Sequence, residues 1–300
     1  MLVARSVRPQ RRHGLGRSAS LAALPLVFGL ACNVTSDGGV GDPPSEPDTD
    51  PLGSGSRVSD LVKEPTWFDP DNLESTGCAY PSPRTASLTG QVIVAIDRYD
   101  ETGDGARGNI YVEDVLDPDE DVVPFSGMTV FNPAFTPPDL RVFEGDVMDT
   151  FGQFEEFPGP SSGPFSYCAT LPEVGGTMVF RFERGEPIRP FTVVRGDGDN
   201  TRWDPIKGYP NARQWLGMLV RFENVVVATP EESGGRYAVP INMGGGLSGD
   251  DVVKISNELF DLKNEGPELS DGTQLKSVTG VITYFYGFKI APRSIDDFEL

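Results

Sequence analysis

The sequence predicts an all-β protein, built as one or two small barrels behind a disordered N-terminal tether. Three observations carry that expectation. From Thr85 onward the chain is a series of short β runs divided by Gly, Pro and Asp clusters. Its 300 residues include 35 Gly and 27 Pro. Stretches of helical periodicity are short and few. Runs at this spacing fit small closed barrels or stacked antiparallel sheets.

The N-terminus reads as an address. Arg5, Arg8, Arg11, Arg12 and Arg17, with no acidic residue among them, precede the apolar stretch Leu21 to Ala31, which ends in a small residue. This is the layout of a secretory signal. Eleven residues broken by Pro25 are too few for a bilayer span, which takes about 20. The stretch LAALPLVFGLAC resembles a bacterial lipoprotein signal, although Gly29 stands where an aliphatic residue is usual and Leu30 follows one place late. That resemblance implies removal of residues 1–31, lipidation of Cys32 and export to the cell envelope, at the outer membrane or cell surface.

Residues 32–57 follow as a linker of Gly, Pro, Ser and Asp with almost nothing large enough to bury. Such a segment cannot offset the entropy of ordering and is expected to be disordered. Residues 58–84 are transitional. SDLVKEPTWF is expected to form a short helical turn, with Trp67 and Phe68 packed on the domain edge.

The expected strands of a first unit, residues 85–185, are 88–97, 109–114, 127–131, 145–155 and 177–182. Those of a second unit, residues 186–300, are 191–195, 217–228, 236–241, 276–286 and 287–292. Two internal echoes link the units: Ser87-Leu-Thr-Gly-Gln-Val-Ile with Ser277-Val-Thr-Gly-Val-Ile, and the run from Gly145 to Phe154 with Val278 to Phe288. Glycine inside such a run lets a strand coil without a Cβ clash.

Charge and residue usage narrow the function. Removing residues 1–31 takes away five of the 25 basic residues and none of the 45 acidic ones, so the formal charge moves from -20 to -25. A surface this acidic repels phosphate backbones and anionic lipid headgroups. Nucleic acid is therefore not the expected partner, and membrane contact falls to the lipid anchor. A glycan or protein ligand is compatible with the charge. The single histidine, His13, lies in the removed segment. Mechanisms that need imidazole as base, nucleophile partner or zinc ligand are thereby excluded. Cys78 and Cys168 remain in an oxidising compartment, where a disulfide is expected.

The run from Gly90 through Asn109-Ile-Tyr-Val-Glu-Asp, Ser126-Gly-Met-Thr-Val-Phe, Gly145-Asp-Val-Met-Asp-Thr-Phe-Gly and Gly217-Met-Leu-Val-Arg-Phe resembles the OB-fold-like modules that accompany secreted bacterial nucleases. The ending Thr279 to Ser294 fits the same pattern. The resemblance covers about residues 85–300 and implies one or two OB-like small β-barrels. In that family the module is an accessory beside a catalytic domain. OB barrels bind oligonucleotides or oligosaccharides on one strand face.

Candidate sites follow from residue types. Tyr284 and Tyr286 share one face of a continuous strand by alternation and would offer rings for stacking, against the alternative that they pack in the core. The loop Arg195 to Asp204 gathers Asp197, Asp199 and Asp204, a calcium-type oxygen set, although the twelfth position from Asp197 is Gly208 and not the Glu of an EF-hand. Asp and Gly are equally the ordinary residues of turns. Asp97, Asp100, Glu101 and Asp104 form a second acidic loop of the same kind, while Asp117 to Asp121 reads as a solvated charge run. Arg195-Gly196-Asp197 is too short a motif to carry weight. Glu155 and Glu156 point to opposite sides of a strand and cannot flank one glycosidic bond. The expectation is an envelope lipoprotein acting as a non-catalytic binding or structural module. The alternative is a secreted metal-dependent hydrolase, or a nuclease-accessory module, using carboxylates only.

Overall fold

The computed structural model describes residues 55–63, 77–103, 108–115, 122–131, 142–185, 187–194, 209–242 and 252–300. Cys32, linker residues 32–54, Trp67, Phe68, Asp104, the 117–121 charge run and the loop bearing Asp197, Asp199 and Asp204 lie outside the described residues. The last linker residues, 55–57, are instead ordered, with the Ser56 N–H donating to the Ser87 carbonyl at 2.7 Å.

The first barrel is built from Arg84–Ile96 (β1), Ile110–Glu113 (β2), Gly127–Phe131 (β3), Asp146–Phe157 (β4) and Leu171–Arg184 (β5). It closes in the order β1-β2-β3-β5-β4. All pairings are antiparallel except β3 with β5. A five-strand barrel in this order is the OB topology. The long β1 pairs with β4 along its first part and with β2 along its last, and its register shifts between Leu88 and Gln91. Gly90 sits at that shift with φ +75°. Its N–H donates to Asp149 at 2.7 Å, and the buried Asp149 carboxylate is gripped by Arg181, again at 2.7 Å. The sequence's glycine and the strand's coil thus have one cause, since the left-handed backbone here suits a residue without Cβ.

The remaining strands are Phe191–Val194 (β6), Leu219–Val227 (β7), Glu231–Ser233 (β8), Arg236–Asn242 (β9), Lys254–Ser256 (β10), Gln274–Tyr284 (β11), Phe288–Ala291 (β12) and Phe298–Glu299 (β13). Strands β7, β9, β10, β12 and β11 form a second ring, closed by the β7–β11 pairing. Taken in chain order, its strands repeat the first barrel's arrangement, with β7 standing for β1, β9 for β2, β10 for β3, β11 for β4 and β12 for β5. Here too the pair between third and fifth strands, β10 with β12, is the parallel one. The chain therefore holds two OB-like barrels, both within one compact unit, Asp48–Leu300.

The echo between Gly145–Phe154 and Val278–Phe288 joins equivalent strands, β4 and β11. The echo between Ser87 and Ser277 does not, because it sets β1 beside β11. A Thr-Gly pair inside an apolar run serves two different strands here. Three strands escaped the sequence reading. β8, β10 and β13 have three, three and two residues, too short for alternation to register.

Each barrel has its own core. Leu88, Ile93, Ile110, Val112, Met128, Val130, Met148, Phe154 and Val174 fill the first. The expected helical turn is α1 (Val58–Val62), whose Val58 and Val62 pack onto that core. Its first N–H groups, from Val58 and Ser59, donate to the Asp114 carboxylate at 2.7 and 2.9 Å. This satisfies donors that a helix start leaves open. The second core centres on Trp215, Phe222, Val239, Ile255, Val278 and Ile290, with Trp215 stacked on Phe191 at 3.8 Å. The 4-residue helices α2 (Tyr209–Ala212) and α3 (Leu262–Glu265) complete the elements used below. Among the described residues no helix is long and apolar enough to cross a membrane.

Cys78 and Cys168 are joined by a disulfide, as expected, across 90 residues of sequence. A loop of that length contributes about 4–5 kcal/mol in the chain-entropy account.

A third apolar cluster ties the barrels together: Val94, Ala95 and Tyr111 of the first meet Leu219, Leu259, Val281 and Ala291 of the second. Beside it the backbones nearly touch. A Cβ on Gly127 would lie 2.4 Å from the carbonyl carbon of Gly217.

Candidate functional site

On an OB barrel the second and third strands, between the loops joining strands one to two and four to five, form the face that takes ligands. In the first barrel this face is covered. Tyr111 and Glu113 of β2 and Thr129 of β3 alternate with core residues, so they point outward, yet all three are buried. The segment leading into β7 lies against them: Phe125 N–H donates to the Gln214 carbonyl at 2.7 Å, and Leu219 N–H donates to Glu113. Both flanking loops also engage the second barrel. Glu101, after β1, pairs with Arg236 at 2.9 Å. Phe165, between β4 and β5, meets Tyr284, Phe285 and Tyr286 edge-on at 5.3, 5.7 and 5.4 Å.

Among the described residues, the same face of the second barrel opens as a cleft of about 330 Å³. Arg236 and Ala238 of β9 and Lys254 of β10 make its floor, because Val239 and Ile255 between them turn into the core. Glu231 and Ser233 of β8 stand on one side, from the loop between the first and second strands. Phe285, Tyr286 and Gly287, between the fourth and fifth strands, stand on the other, with Lys289 of β12 beside them.

The cleft's charges are paired. Lys254 meets Glu231 at 2.8 Å, Arg236 meets Glu101 at 2.9 Å and Lys289 meets Glu258 at 2.9 Å. Burial alone would raise the Glu258 carboxyl, but Lys289 and the Thr283 hydroxyl hold it below the usual carboxylate range. Glu101 is raised by burial and by Glu258, against the pull of Lys289 and Arg236. Behind it, burial and the Glu258 charge push Asp97 up to about 7. The Arg236 guanidinium also lies 4.2 Å from the centre of the Phe285 ring, within cation–π range.

Tyr284 and Tyr286 do not share a face. β11 ends at Tyr284, which pairs with Phe288 across a hairpin. Tyr286 adopts φ +53° and Gly287 φ +129°, so strand alternation stops there. Tyr284 turns inward at 3% exposure, against Tyr209 and Phe288, whereas Tyr286 is 42% exposed at the hairpin tip. The Tyr286 hydroxyl donates to the Gly163 carbonyl, which fixes the ring in place. The exposed pair expected from alternation reduces to one tyrosine, with Phe285 as its half-buried neighbour.

The second acidic loop also disperses. Asp100 accepts from the Gly103 N–H at 2.9 Å in a local turn, while Glu101 reaches across to Arg236. Among the described residues no group of three acidic, cysteine or histidine side chains is arranged to hold a metal ion. Glu155 and Glu156 part as strand geometry requires. Glu155 lies opposite Glu173 in the β4–β5 register. Glu156 is buried against Arg213 at 2.6 Å and Thr170 at 2.6 Å. Tyr209 of α2 joins this second group by bonding to Thr170, so the network fastens β4 to the segment entering the second barrel.

Arg236, Lys254, Lys289 and Glu231 were not singled out from the sequence. Arg236 and Ala238 alternate with Tyr237 and Val239, and that was the available signal. β10 was missed, and with it the neighbour that makes a floor. No protein-family model matches this chain, and no curated protein matches it either.

Proposed function

We propose that this chain is an exported cell-envelope protein, lipid-anchored at Cys32, that acts as a non-catalytic binding module. The first barrel is its scaffold and the second presents the ligand cleft. One observation carries the reading: the strand face that takes ligands on OB barrels is buried in the first barrel and open in the second. The carboxylates in and behind the cleft support a binding role, because Glu231, which lines it, and Glu101 and Glu258, which pair with its cations, are each held by a cation. A general acid and base flanking a scissile bond need carboxyl groups free to reach it.

Two measurements test the reading. Acyl mass on Cys32, with loss of membrane-fraction recovery in Cys32→Ala, is the expected result for the anchor. A Cys32→Ala chain that stays membrane-bound with an intact N-terminus overturns it. Hydroxyl-radical footprinting of the chain in its own envelope, compared with the purified chain, should protect Tyr286 and Phe285. Equal labelling of both residues in the two settings overturns the cleft as the binding surface.

A further inference from the structure

We infer that the second barrel's cleft takes an uncharged oligosaccharide, with Tyr286 as its stacking platform and the Lys254–Glu231 pair as its hydroxyl reader. This rests on the proposed binding role of the cleft and adds the ligand class.

Three features select it. First, among the described residues the cleft's cations, Arg236, Lys254 and Lys289, each face a carboxylate at 2.8–2.9 Å. Binding a polyanion draws on unneutralised Lys and Arg that displace counterions. Here a phosphate or carboxylate polymer would have to compete with Glu231, Glu101 and Glu258, in a chain whose net charge is -20.

Second, an ammonium or guanidinium beside a carboxylate sets hydrogen-bond donors next to acceptors. A sugar's neighbouring hydroxyls donate and accept at once, so each hydroxyl pair can bridge an ion pair without either charge losing its partner. Lys254 and Glu231 are 30% and 56% exposed and are free to do this at the cleft's rim.

Third, the cleft carries a fixed ring. Tyr286 is exposed, yet its hydroxyl is bonded to Gly163 and Phe165 braces its ring at 5.4 Å. Such a ring meets the apolar face of a sugar with little side-chain entropy left to lose. A tyrosine held only for packing has no need of exposure at a cleft wall.

The test uses the full chain in detergent, with neutral gluco-, manno- and N-acetylglucosamine oligomers as one panel. Oligogalacturonate and single-stranded oligothymidylate form a second. Calorimetry is expected to find a neutral oligomer that binds equally at low and high salt. Tyr286→Ala and Lys254→Ala, both surface changes whose fold is checked by thermal melting, should each weaken it about tenfold. Binding of a polyanion, steeply salt-dependent and lost in Tyr286→Ala, overturns the ligand class while leaving the cleft as the binding surface. Neutral-oligomer binding untouched by either substitution overturns the site and the cleft reading with it. A folded chain that binds neither panel overturns the ligand class alone, because envelope footprinting reads the cleft without assuming a ligand.

Discussion

Glu113 of β2 accepts a hydrogen bond from the backbone N–H of Leu219 at the start of β7, so an outward-facing carboxyl of the first barrel ties it to the first strand of the second. The contact lies in the middle of the face that an isolated OB barrel would expose. Burial is its dominant influence and pushes the Glu113 carboxyl up to about 8, even though the Leu219 N–H favours the ionised form.

Two more carboxyls share this condition. Burial and the facing Glu155 push Glu173 up to about 8, and Asp97 is raised to about 7. In the folded state these groups hold protons that the unfolded chain releases near pH 4. Their contribution to stability is therefore fully present below about pH 4 and is lost as the pH rises to about 8. The melting temperature should fall between about pH 5 and pH 9, and Glu113→Gln should flatten the fall. A melting temperature that holds level or rises over that interval would refute the assignment.

The Gly127–Gly217 crossing makes a steric prediction. A methyl group at residue 127 meets backbone, which cannot turn aside as a flexible side chain can, and Gly217 itself holds φ +76°. Gly127→Ala should destabilise the chain by about 1–3 kcal/mol, the usual range for an overpacked contact. Limited proteolysis should then cut between the barrels sooner than in the parent chain. Unchanged melting and digestion would mean that the two backbones are not in contact.

The Arg213–Glu156 pair predicts an asymmetry between single and double substitution. Removing one partner leaves a buried charge uncompensated, so Glu156→Ala should cost about 3–5 kcal/mol by urea denaturation. Replacing both, Glu156→Leu with Arg213→Met, should recover most of that loss, since a buried ion pair itself contributes little net stability. A double variant no better than Glu156→Ala would show that shape, and not charge, governs the site.

Particular residues show how much could be read in advance. Cys78 and Cys168 were legible because a pair of thiols, behind an N-terminus that reads as a secretory signal, is expected to join. The strand from Gly127 to Phe131 was legible to the residue, since Gly and Phe bracket a clear alternation. Tyr284 and Tyr286 do not form a pair, because period-two reasoning holds only while the strand lasts and β11 ends at Tyr284, two residues short of the end of the expected run 276–286. Lys254 was invisible as a site residue for another reason. Its strand is three residues long and gains meaning only from pairing with Pro240 and Lys289, far away in sequence.

What the sequence determined by itself is local: β runs, the glycines that let them coil, the acidic surface and the absence of imidazole beyond His13. Which ligand face is filled and which stays open was decided by tertiary structure. That outcome depends on the approach of Gly217 to Gly127 and of Leu219 to Glu113, contacts across about 100 residues of chain whose energies exist only after both barrels have closed.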